Sequence, residues 1–456
     1  MPLILGTNSI KDTGYDVANS CIFDRASTDS MSKSMSDGSS IKGTFSAWIK
    51  VDGTSNEMNI LSHFQDTNNV FTISTTGSGV NVVDYNSGYS LQLSTNRLMR
   101  DPSAWFHLYV AIDRSQGTAD NRNRMFINGV EETSFSHRTN YSQQTSGGHE
   151  DAISMNDGQC TMYLGGLGDG NQMFGGYLAE LHWIDGTVPA VTEFGEFDED
   201  SGIWKPKLVS GISYGTNGFY LDFQDASNLG NDANGGTDLT ESNIASTNQS
   251  TDTCTNNFAT LNPLIYQSRN NTFAEGNLKI TGGTADGWDN KYGVSTIAVS
   301  SGKWYLEAKA TTMVTSQGVL GIIKTSQALS GSLRDIGTAC IDSGGSISGG
   351  GGDFQTGLTS FANGDIAGIA FDADAGTVQF YRNGSTYGSQ VTSIASDTYY
   401  FATNSYEQGA VMEFNFGSPP FAISSGNTDG NDYGNFEYAV PSGYYALNTK
   451  NLAEYG

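Results

Sequence analysis

The chain has 456 residues, which is enough for two or three domains that each bury a core. Its 48 acidic residues against 22 basic ones leave a formal charge of −26, which opposes binding to nucleic-acid phosphates and to anionic membranes. The 57 glycines and a charged fraction of only 15% disfavour helices, whereas 22 tyrosines and 23 phenylalanines favour strands joined by turns. We therefore expect an all-β protein that binds no nucleic acid.

The opening segment, MPLILGTNSIKDTG, has only a few apolar residues, and no basic region precedes them. Elsewhere no apolar run approaches the roughly 18 residues that a membrane-spanning helix needs. The sequence thus predicts a soluble protein with no classical export signal and no membrane insertion.

Alternating apolar residues predict strands throughout the first half. These predicted strands are residues 19–25, 44–51, 70–75, 105–113, 124–129, 160–166, 176–186 and 218–225. In the second of them one face is formed by Phe45, Ala47, Ile49 and Val51. Clusters of Gly, Asn, Asp and Ser separate the runs at the spacing of a β-sandwich, so residues 1–225 are predicted to form one sandwich.

Residues 226–262 lack periodicity and almost lack aromatic side chains. They are predicted to form a polar linker, or an extended segment pinned along a partner's surface.

Strands resume in the second half. The predicted strands there are residues 276–283, 303–310, 318–323, 365–372, 377–384, 398–403 and 410–417. In 303–310, Trp304, Leu306 and Ala308 are predicted to face the core, and the outward face is predicted to consist of Tyr305, Glu307 and Lys309. Residues 263–456 are therefore predicted to form a second sandwich with a C-terminal extension.

Residues 110–130 and 368–385 share one shape: an apolar run, an Asp, a polar loop and a second apolar run ending in Asn-Gly. In the first, Phe106, Leu108, Val110 and Ile112 alternate, which predicts one buried face and one face in water. The Asn-Gly pairs supply the positive φ angles of a tight reversal. The repeat therefore predicts two antiparallel hairpins, one in each of two related sandwiches.

Several strings of the first half, in their order, resemble the laminin-G-like, concanavalin-A-type domain of structural proteins of tailed bacteriophages, particularly marine ones. They are RDPSAWFHLYVAID, NRMFINGVEE, GGYLAELHWIDG, FGEFDEDSGIWKPK, YGTNGFYLDFQD and TDTCTNNFATLNPL. In the second half SGKWYLEAKA, GDIAGIAFDADAGTVQFYRNG and GYYALNTKNL resemble the SPRY-like sandwich that often follows it. The resemblance implies two antiparallel β-sandwiches of jelly-roll type and a virion component, without choosing among decoration, fibre and appendage.

Concanavalin-like sandwiches include glycoside hydrolases, whose chemistry requires two carboxylates on either side of the scissile bond. The stretch EFGEFDEDSG is the nearest candidate, with Glu193, Glu196, Asp198, Glu199 and Asp200. Its spacing differs from the Glu-x-Asp-x-(x)-Glu pattern of those enzymes, and Gly195 and Gly202 predict a turn, so we interpret it as a solvated acidic loop. Glu180 and Asp185 are predicted on opposite faces of one strand, which excludes them as a pair.

Nucleophilic catalysis has no motif either. The chain has no G-x-S-x-G elbow, and its five histidines stand at 63, 107, 137, 149 and 182 without a partner motif. His107 and His182 are predicted to pack within strands. His149, Glu150 and Asp151 are adjacent in one loop, and adjacent residues rarely converge on one metal ion. We expect no enzyme.

The resemblance to laminin-G-like domains also raises calcium binding as an interpretation, because these domains often bind calcium through loop aspartates and backbone carbonyls. The candidates are Asp113, Asp120, Asp169, Asp225, Asp232 and Asp238. None forms the D-x-[DN]-x-[DN]-G pattern, so we assign no metal ligand and expect no cofactor. The four cysteines, Cys21, Cys160, Cys254 and Cys340, are predicted to be reduced and buried, with a bridge between Cys21 and Cys160 left open.

One loop carries a candidate binding site. The stretch ADGWDNKYG contains Trp288, Asp289, Asn290 and Tyr292. Aromatic rings can stack on sugar faces while Asn and Asp bind hydroxyls, so a glycan contact is one interpretation. The alternatives are a Trp that covers the end of the sandwich and, by the SPRY resemblance, a protein contact.

Together these patterns predict a non-enzymatic bacteriophage virion protein, made in the host cytoplasm and exposed on the particle. Its expected partners are other virion proteins, further copies of itself with a trimer favoured, and a host-surface glycan or protein. With no coiled coil or collagen-like repeat, a capsid decoration or short appendage is favoured over a slender tail fibre. The rival interpretations are a receptor-binding lectin at the tail and a polysaccharide depolymerase.

Overall fold

A computed structural model describes residues 14–53, 57–77, 79–146, 154–265, 268–283, 285–289, 291–313 and 318–456. These residues fall into two compact units that divide between Thr255 and Asn256. Each unit is mostly β, with antiparallel sheets paired into a sandwich. The helices Leu333–Ile336 (α1) and Thr449–Tyr455 (α2) are short, and no helix in the described ranges could cross a membrane.

The first unit contains eighteen of the described strands. They are β1 (Ser20–Phe23), β2 (Ser30–Ser34), β3 (Lys42–Val51), β4 (Met58–Asp66), β5 (Asn69–Thr76), β6 (Gly79–Asn86), β7 (Tyr89–Leu98), β8 (Phe106–Asp113), β9 (Asn123–Ile127), β10 (Val130–Glu131), β11 (Phe135–Thr139), β12 (Thr161–Leu164), β13 (Gly176–Asp185), β14 (Gly195–Phe197), β15 (Trp204–Pro206), β16 (Phe219–Leu221), β17 (Thr240–Ser242) and β18 (Gln249–Ser250). Short 3₁₀ turns lie at Ala119–Asn121, Val191–Glu193 and Ser246–Asn248.

Two eight-stranded sheets form this sandwich. One has the order β10-β9-β8-β3-β13-β1-β18, with β16 paired to β13, and the other has the order β11-β7-β6-β5-β4-β12-β2-β17. Phe45, Ala47, Ile49 and Val51 of β3 all enter the core, as their alternation predicts. Phe71 and Ile73 of β5 join the same core from the second sheet.

The outer face of β8 is a correction to the prediction. Its apolar residues enter the core as expected, but the alternate residues that were predicted to meet water are buried as well. Tyr109 and Ala111 pack against Phe194 and Tyr214, which belong to the irregular segment 186–214 that includes the β14–β15 hairpin. The alternation of apolar and polar residues shows which side chains of a strand share a face. Whether the outer face is exposed to solvent depends on segments elsewhere in the chain, here residues 186–214.

Residues 226–255 are part of the first unit rather than a free linker. β17 pairs with β2 and β18 pairs with β1, so this segment lengthens both sheets. The predicted boundaries at 225/226 and 262/263 therefore differ from the structural one at 255/256. Backbone pairing needs no apolar periodicity, which is why a polar segment can extend a sheet without a sequence signal.

One buried ion pair anchors the end of that segment. Lys50 Nζ on β3 donates to the carboxylate of Asp252 at 2.7 Å, and both side chains are 1% exposed. Trp105 Nε1 donates to the other oxygen of Asp252 at 3.0 Å. The segment is thereby attached to the sheet by charge as well as by backbone pairing.

The second unit contains the other described strands. They are β19 (Asn271–Ala274), β20 (Lys279–Gly282), β21 (Tyr292–Val294), β22 (Lys303–Thr312), β23 (Gly318–Lys324), β24 (Ala339–Asp342), β25 (Ile347–Gly349), β26 (Gly352–Gln355), β27 (Ile366–Asp372), β28 (Thr377–Arg382), β29 (Ser385–Val391), β30 (Tyr399–Ser405), β31 (Val411–Asn415) and β32 (Tyr445–Ala446). One sheet has the order β19-β20-β31-β22-β27-β28-β29 with β32 beside β22, and the other has the order β21-β30-β23-β24-β25-β26.

The two faces of β22 show how this sandwich is layered. Trp304, Leu306 and Ala308 enter the core between the sheets, as predicted. Tyr305 and Glu307 point the other way but are 2% and 0% exposed, which corrects the prediction that they face water.

The covering layer over Tyr305 and Glu307 is the C-terminal segment 418–447. Phe436 packs edge to face on Tyr305 at 5.3 Å between ring centroids. The Glu307 carboxylate accepts the backbone N–H groups of Glu437 at 2.9 Å and Tyr438 at 2.8 Å. The C-terminal extension is therefore hydrogen-bonded to the sheet through a buried carboxylate.

Both repeated stretches form the predicted hairpins. Asn128 and Gly129 have φ values of +49° and +74°, and Asn383 and Gly384 have φ values of +50° and +75°. These are the left-handed conformations that a two-residue turn between antiparallel strands requires.

All four cysteines are free thiols. Cys21 and Cys160 both lie in the core of the first unit without a bridge between them. Burial raises the pKa of Cys160 to about 12, so this thiol stays protonated and unreactive at neutral pH.

Candidate functional site

The predicted stretch 288–292 separates into buried and exposed parts. Tyr292 begins β21 with its ring fully buried, and its hydroxyl donates to the carbonyl of Gly331. Trp288 is half-buried and packs edge to face on Tyr406 at 5.5 Å. Asp289 is exposed, and Asn290 lies outside the described residues. The described members therefore present no common surface, and Trp288 covers a neighbouring ring.

Lys291, between these residues, lines a small cleft of about 20 Å³. Its side chain is 2% exposed, and its ammonium donates to the carbonyl of Tyr406 at 3.0 Å. Burial lowers the pKa of Lys291, while the nearby carboxylates of Asp286 and Glu407 act in the opposite direction.

Strands of both sheets of the second unit line the cleft. Ile280 and Met412 come from the paired strands β20 and β31, and Thr403 comes from β30 of the other sheet. Thr403 Oγ1 lies 3.3 Å from the sulfur of Met412, which joins the two sheets at the cleft wall. Gly282 lets the backbone of Glu407 come close to β20, because a Cβ there would lie 2.6 Å from the carbonyl oxygen of Glu407.

Two hydrogen-bond acceptors in the cleft lining are not used. Within the described residues, Glu407 Oε2 and Asn271 Oδ1 are buried atoms with no hydrogen-bond partner. The amide of Asn271 is held by its Nδ2, which donates to the carbonyl of Tyr292 at 3.2 Å. Buried acceptors without a donor are costly, so each is a place where a water molecule or another donor can bind favourably.

A second small cleft of about 20 Å³ adjoins the first and shares Met313, Gly318 and Met412 with it. Its other walls are mainly apolar and include Leu320 and Phe361. The pair thus combines a small polar hollow with an apolar extension, and each has room for about one water molecule.

The charged groups of this cleft, Lys291 and Glu407, were not among the predicted site residues, although Lys291 directly precedes Tyr292, which was. Lys291 lies in the quoted stretch ADGWDNKYG, and Glu407 follows β30 in an unremarkable loop. The available signal was a lone lysine beside a strand in a chain with only 22 basic residues.

His107 is part of a closed polar cluster in the first unit. Trp204 Nε1 donates to His107 Nδ1 at 3.1 Å, so the ring proton lies on Nε2, 2.9 Å from the Ser46 hydroxyl oxygen. Burial lowers the pKa of His107 to about 3. In this tautomer the imidazole donates to Ser46 and cannot accept its proton, so the pair is not arranged as a nucleophile with its base.

The other described histidines also have structural surroundings or lie apart. His182 stacks on Tyr220 at 4.2 Å and hydrogen-bonds to the Tyr214 hydroxyl at 2.8 Å, and burial lowers its pKa to about 3. His63 is buried and accepts the backbone N–H of Asn156 at 3.1 Å. His137 is exposed on β11. His149, Glu150 and Asp151 lie outside the described residues.

The carboxylates considered for glycoside hydrolysis are held separately. Asp198 lies in the β14–β15 turn, where hydrogen bonds from Ser201 and Lys205 lower its pKa to about 2. Asp185 accepts the backbone N–H groups of Ser39 and Asn217. Glu180 instead accepts the Tyr220 hydroxyl at 2.9 Å.

The aspartates considered for calcium also have internal partners. Asp113 accepts from Ser115 and Gln116, and Asp238 accepts from Asn228 and the backbone of Asp232. Across the described ranges, no three His, Cys, Asp or Glu side chains form a group that could hold a metal ion.

Comparison with known proteins places one family in the second unit. A family model of the SPRY domain matches residues 303–419. No curated protein matches the chain. The chain thus carries a SPRY domain at 303–419, preceded by an additional β-sandwich region.

Solved structures with similarity to the chain include three SPRY domains. The SPRY domain of human HERC1 is 17% identical, with 30% of this chain and 87% of that chain covered and a TM-score of 0.27. The TRIM65 PSpry domain is 11% identical, with 34% and 88% covered and a TM-score of 0.27. A human SPRY domain is 15% identical, with 32% and 94% covered and a TM-score of 0.25. The SPRY assignment depends on the family match alone.

Proposed function

We propose that this chain is a non-enzymatic structural protein of a tailed bacteriophage, exposed on the particle as a capsid decoration, head fibre or tail appendage. The observation that carries the proposal is the order of its modules: a β-sandwich with the laminin-G-like strings precedes a SPRY domain at 303–419 in one acidic chain. The formal charge of −26 suits an exterior module that must not adhere to the packaged DNA.

The absence of enzymatic activity is supported by how the first unit uses its reactive side chains. His107 donates to Ser46 instead of activating it, and the carboxylates of Glu180 and Asp185 accept bonds from different parts of the fold. A depolymerase would need two carboxyl groups facing one another across a substrate groove. The expected result is therefore no release of reducing ends from host polysaccharide.

Immunogold electron microscopy of purified particles tests the location, using antibody raised against the full chain. Gold over the capsid or tail supports a virion protein, and its distribution separates decoration from appendage. Particles that carry no label, while the same antibody detects the chain in infected-cell lysate, would contradict the proposal. Light scattering of the purified chain tests the accompanying expectation of a homo-oligomer, with a trimer favoured.

A receptor-binding role is a second candidate. Saturable binding of the labelled chain to host cells, removed by a competing surface polysaccharide, is the expected result if adhesion is part of its function.

A further inference from the structure

A larger groove lies at one side of the second sandwich, away from the Lys291 cleft. β26 and β29 are the outermost strands of the two sheets on that side. The groove between them, called the edge groove below, is lined by Ile347, residues 354–355 and residues 389–392. Its volume of about 410 Å³ falls within the roughly 300–1,000 Å³ that is typical of small-molecule sites.

Both strands are irregular where they line the edge groove. In β26, Phe354 is the extra residue of a bulge, because Asp353 and Gln355 pair with consecutive residues of β25. In β29, residues 388–390 lie opposite the single residue Gln379. Bulges interrupt the hydrogen-bond ladder and turn side chains in new directions, and they oppose the addition of a further strand to an edge. A ligand of this groove is therefore held by side chains and not by strand pairing.

The bulge in β26 leaves the ring of Phe354 largely uncovered. This side chain is 56% exposed, although it belongs to an apolar residue. The ring rests on the backbone of Gly349, where an added Cβ would lie 2.9 Å from Phe354 Cε2. The supported ring thus offers a ligand an apolar surface that is still in contact with water, and covering that surface is favourable.

The polar part of the lining carries no charge. Gln355 Oε1 accepts the backbone N–H of Ser389 at 2.8 Å, so its Nε2 is directed to no partner within the described residues. The side chains of Gln390 and Thr392 are exposed and make no hydrogen bond within the described ranges. Amides and hydroxyls donate and accept without charge, so these groups suit a neutral ligand that does both.

A saccharide has both features that this groove can recognise. The C–H bonds on one face of a sugar ring pack on an aromatic ring, and the hydroxyls around its rim donate and accept hydrogen bonds. A wholly apolar ligand would leave the amides of Gln355 and Gln390 without partners. An anionic ligand would meet no cation in the lining and would approach a chain with a formal charge of −26.

We propose that the edge groove binds a neutral oligosaccharide, with one sugar ring stacked on Phe354 and its hydroxyls hydrogen-bonded to the side chains of residues 355, 390 and 392. The proposal gives the receptor-binding candidate a site and a ligand class, and its use on the particle rests on that candidate. Binding itself is a property of the isolated chain.

Saturation-transfer-difference NMR of the purified full chain tests the proposal. The probes are three neutral tetrasaccharides, cellotetraose, chitotetraose and mannotetraose, and the anionic tetragalacturonate, each at millimolar concentration. Phe354→Ala removes the ring, Phe354→Tyr keeps it, and Gln390→Leu removes one amide of similar size. Tyr89→Ala is the matched control, because Tyr89 is an equally exposed aromatic residue, at 55%, on β7 of the first unit.

The expected result is saturable transfer to a neutral tetrasaccharide, strongest at the C–H protons of one ring face. Loss of the stacking surface should weaken binding by about tenfold in Phe354→Ala, and loss of one hydrogen bond by about threefold or more in Gln390→Leu. Phe354→Tyr and Tyr89→Ala should bind as the wild type does. Because the ring of Phe354 is mostly exposed, its replacement should leave the fold intact, which the amide spectrum of each variant checks.

Four outcomes would overturn the proposal. Absence of transfer to every neutral probe excludes the ligand class, and transfer that persists unchanged in Phe354→Ala places the sugar elsewhere. A preference for tetragalacturonate contradicts a neutral ligand. An oligomer that dissociates in Phe354→Ala, seen by light scattering and without sugar binding in the wild type, would make the groove a contact between copies of the chain. Since the isolated chain is measured, failure here is separate from failure of the immunogold experiment.

Discussion

The two sandwiches share one local structure and surround it differently. In each, the strand before the repeated hairpin ends in an aspartate that pairs with a lysine on the neighbouring strand. Lys42 Nζ lies 3.6 Å from Asp113, and Lys303 Nζ lies 2.9 Å from Asp372. In both pairs the two residues are direct neighbours in the strand register. The repeated Asp of the sequence is therefore a structural partner in both units.

The Asn-Gly turns repeat the same hydrogen bonds. Asn128 Oδ1 accepts the backbone N–H of His107 at 2.7 Å, and Asn383 Oδ1 accepts that of Ile366 at 2.9 Å. Each asparagine also donates its own backbone N–H to the carbonyl of the same residue, at 2.9 Å and 2.8 Å. In each unit the asparagine side chain therefore stabilises its own turn. This structural role explains why the Asn-Gly pattern occurs in both units, and no shared activity is needed.

What differs is the cover on the outer face. In the first unit the segment 186–214 closes over β8 and encloses His107 and His182, whereas in the second the segment 418–447 covers β22. In the second unit the described residues form a small cleft that a buried cation and two acceptors without a partner line. The two units thus share their architecture and differ in the segments that cover it.

The largest effect is expected from removing the buried Lys50–Asp252 ion pair of the first unit. Asp252→Ala leaves the Lys50 ammonium buried beside Trp105 without its carboxylate, which should cost about 3–5 kcal/mol of unfolding free energy. Hydrogen exchange followed by mass spectrometry in increasing denaturant reports the two units separately. Peptides of the first unit should lose protection, and peptides from 256–456 should not.

The control for that prediction is the double variant Lys50→Met with Asp252→Leu. It removes both charges together, so it should recover much of the lost stability. First-unit protection in Asp252→Ala equal to that of the wild type would mean that the ion pair does not anchor the segment.

The next effect is a pH dependence that belongs to the first unit. Glu180 lies at a bulge in β13 with φ of +47°, and burial raises the pKa of its carboxyl to about 7, well above the usual range of a glutamate. A carboxyl whose folded pKa exceeds its unfolded pKa takes up protons on folding. The unfolding free energy should therefore fall as pH rises from about 5 to about 7, by up to about 3 kcal/mol.

Glu180→Gln tests this, because an amide keeps the hydrogen bond from Tyr220 but does not titrate. Unfolding of the first unit, followed across that pH window, should show a flatter profile in the variant than in the wild type. Profiles of equal slope would assign the pH dependence to other groups.

A smaller effect tests the cover of the second unit. Glu307→Gln exchanges one carboxylate oxygen for an N–H donor, which leaves the backbone N–H of Glu437 or Tyr438 without its acceptor. The expected loss is about 2 kcal/mol, seen as faster exchange of amides in 418–447. Glu131→Gln is the matched control, because Glu131 forms an exposed pair with Arg124 and should cost only about 0.5 kcal/mol. Equal exchange in both variants would contradict the role of Glu307.

The sequence predicted about half of the described strands in each unit, those in which apolar residues stand out from the polar residues around them. β6 and β7 were missed although Val80, Val82, Leu91 and Leu93 all reach the core. Polar residues between them, such as Asn81 and Gln92, make these strands resemble the surrounding polar loops. The segment 226–255 was missed for a related reason, since its strands are held by backbone pairing and the Lys50–Asp252 pair.

The candidate site was harder to predict than the fold. The sequence drew attention to Trp288 and Tyr292, because aromatic residues in a loop are typical of sugar binding. The structure buries Tyr292 and places Lys291 at the cleft, where it meets Glu407 from a loop more than a hundred positions later. Lys291 and Glu407 come together only through the pairing and packing of strands in the folded unit, and no local sequence pattern encodes that.

The smallest expected effect compares the two turns directly. Gly129 and Gly384 each lie under an aromatic ring of the covering segment: an added Cβ would lie 2.2 Å from Trp204 in one turn and 2.5 Å from Tyr438 in the other. Gly409 has the same φ of +75° as Gly384, with nothing within 4 Å of an added Cβ. Gly409→Ala should therefore lose only the cost of left-handed backbone, about 1 kcal/mol.

Gly129→Ala and Gly384→Ala should each lose about 1 kcal/mol more than Gly409→Ala, because a ring must also shift. Chemical denaturation with the tryptophan signal follows the first turn, and hydrogen exchange of 418–447 follows the second. If only one of the two variants loses more stability than Gly409→Ala, the two turns have the same backbone conformation but only one of them is packed tightly under its aromatic ring. Equal excess in both would make the aromatic cover over the Asn-Gly turn a common feature of the two sandwiches, as the shared hydrogen bonds of Asn128 and Asn383 already suggest for the turn itself.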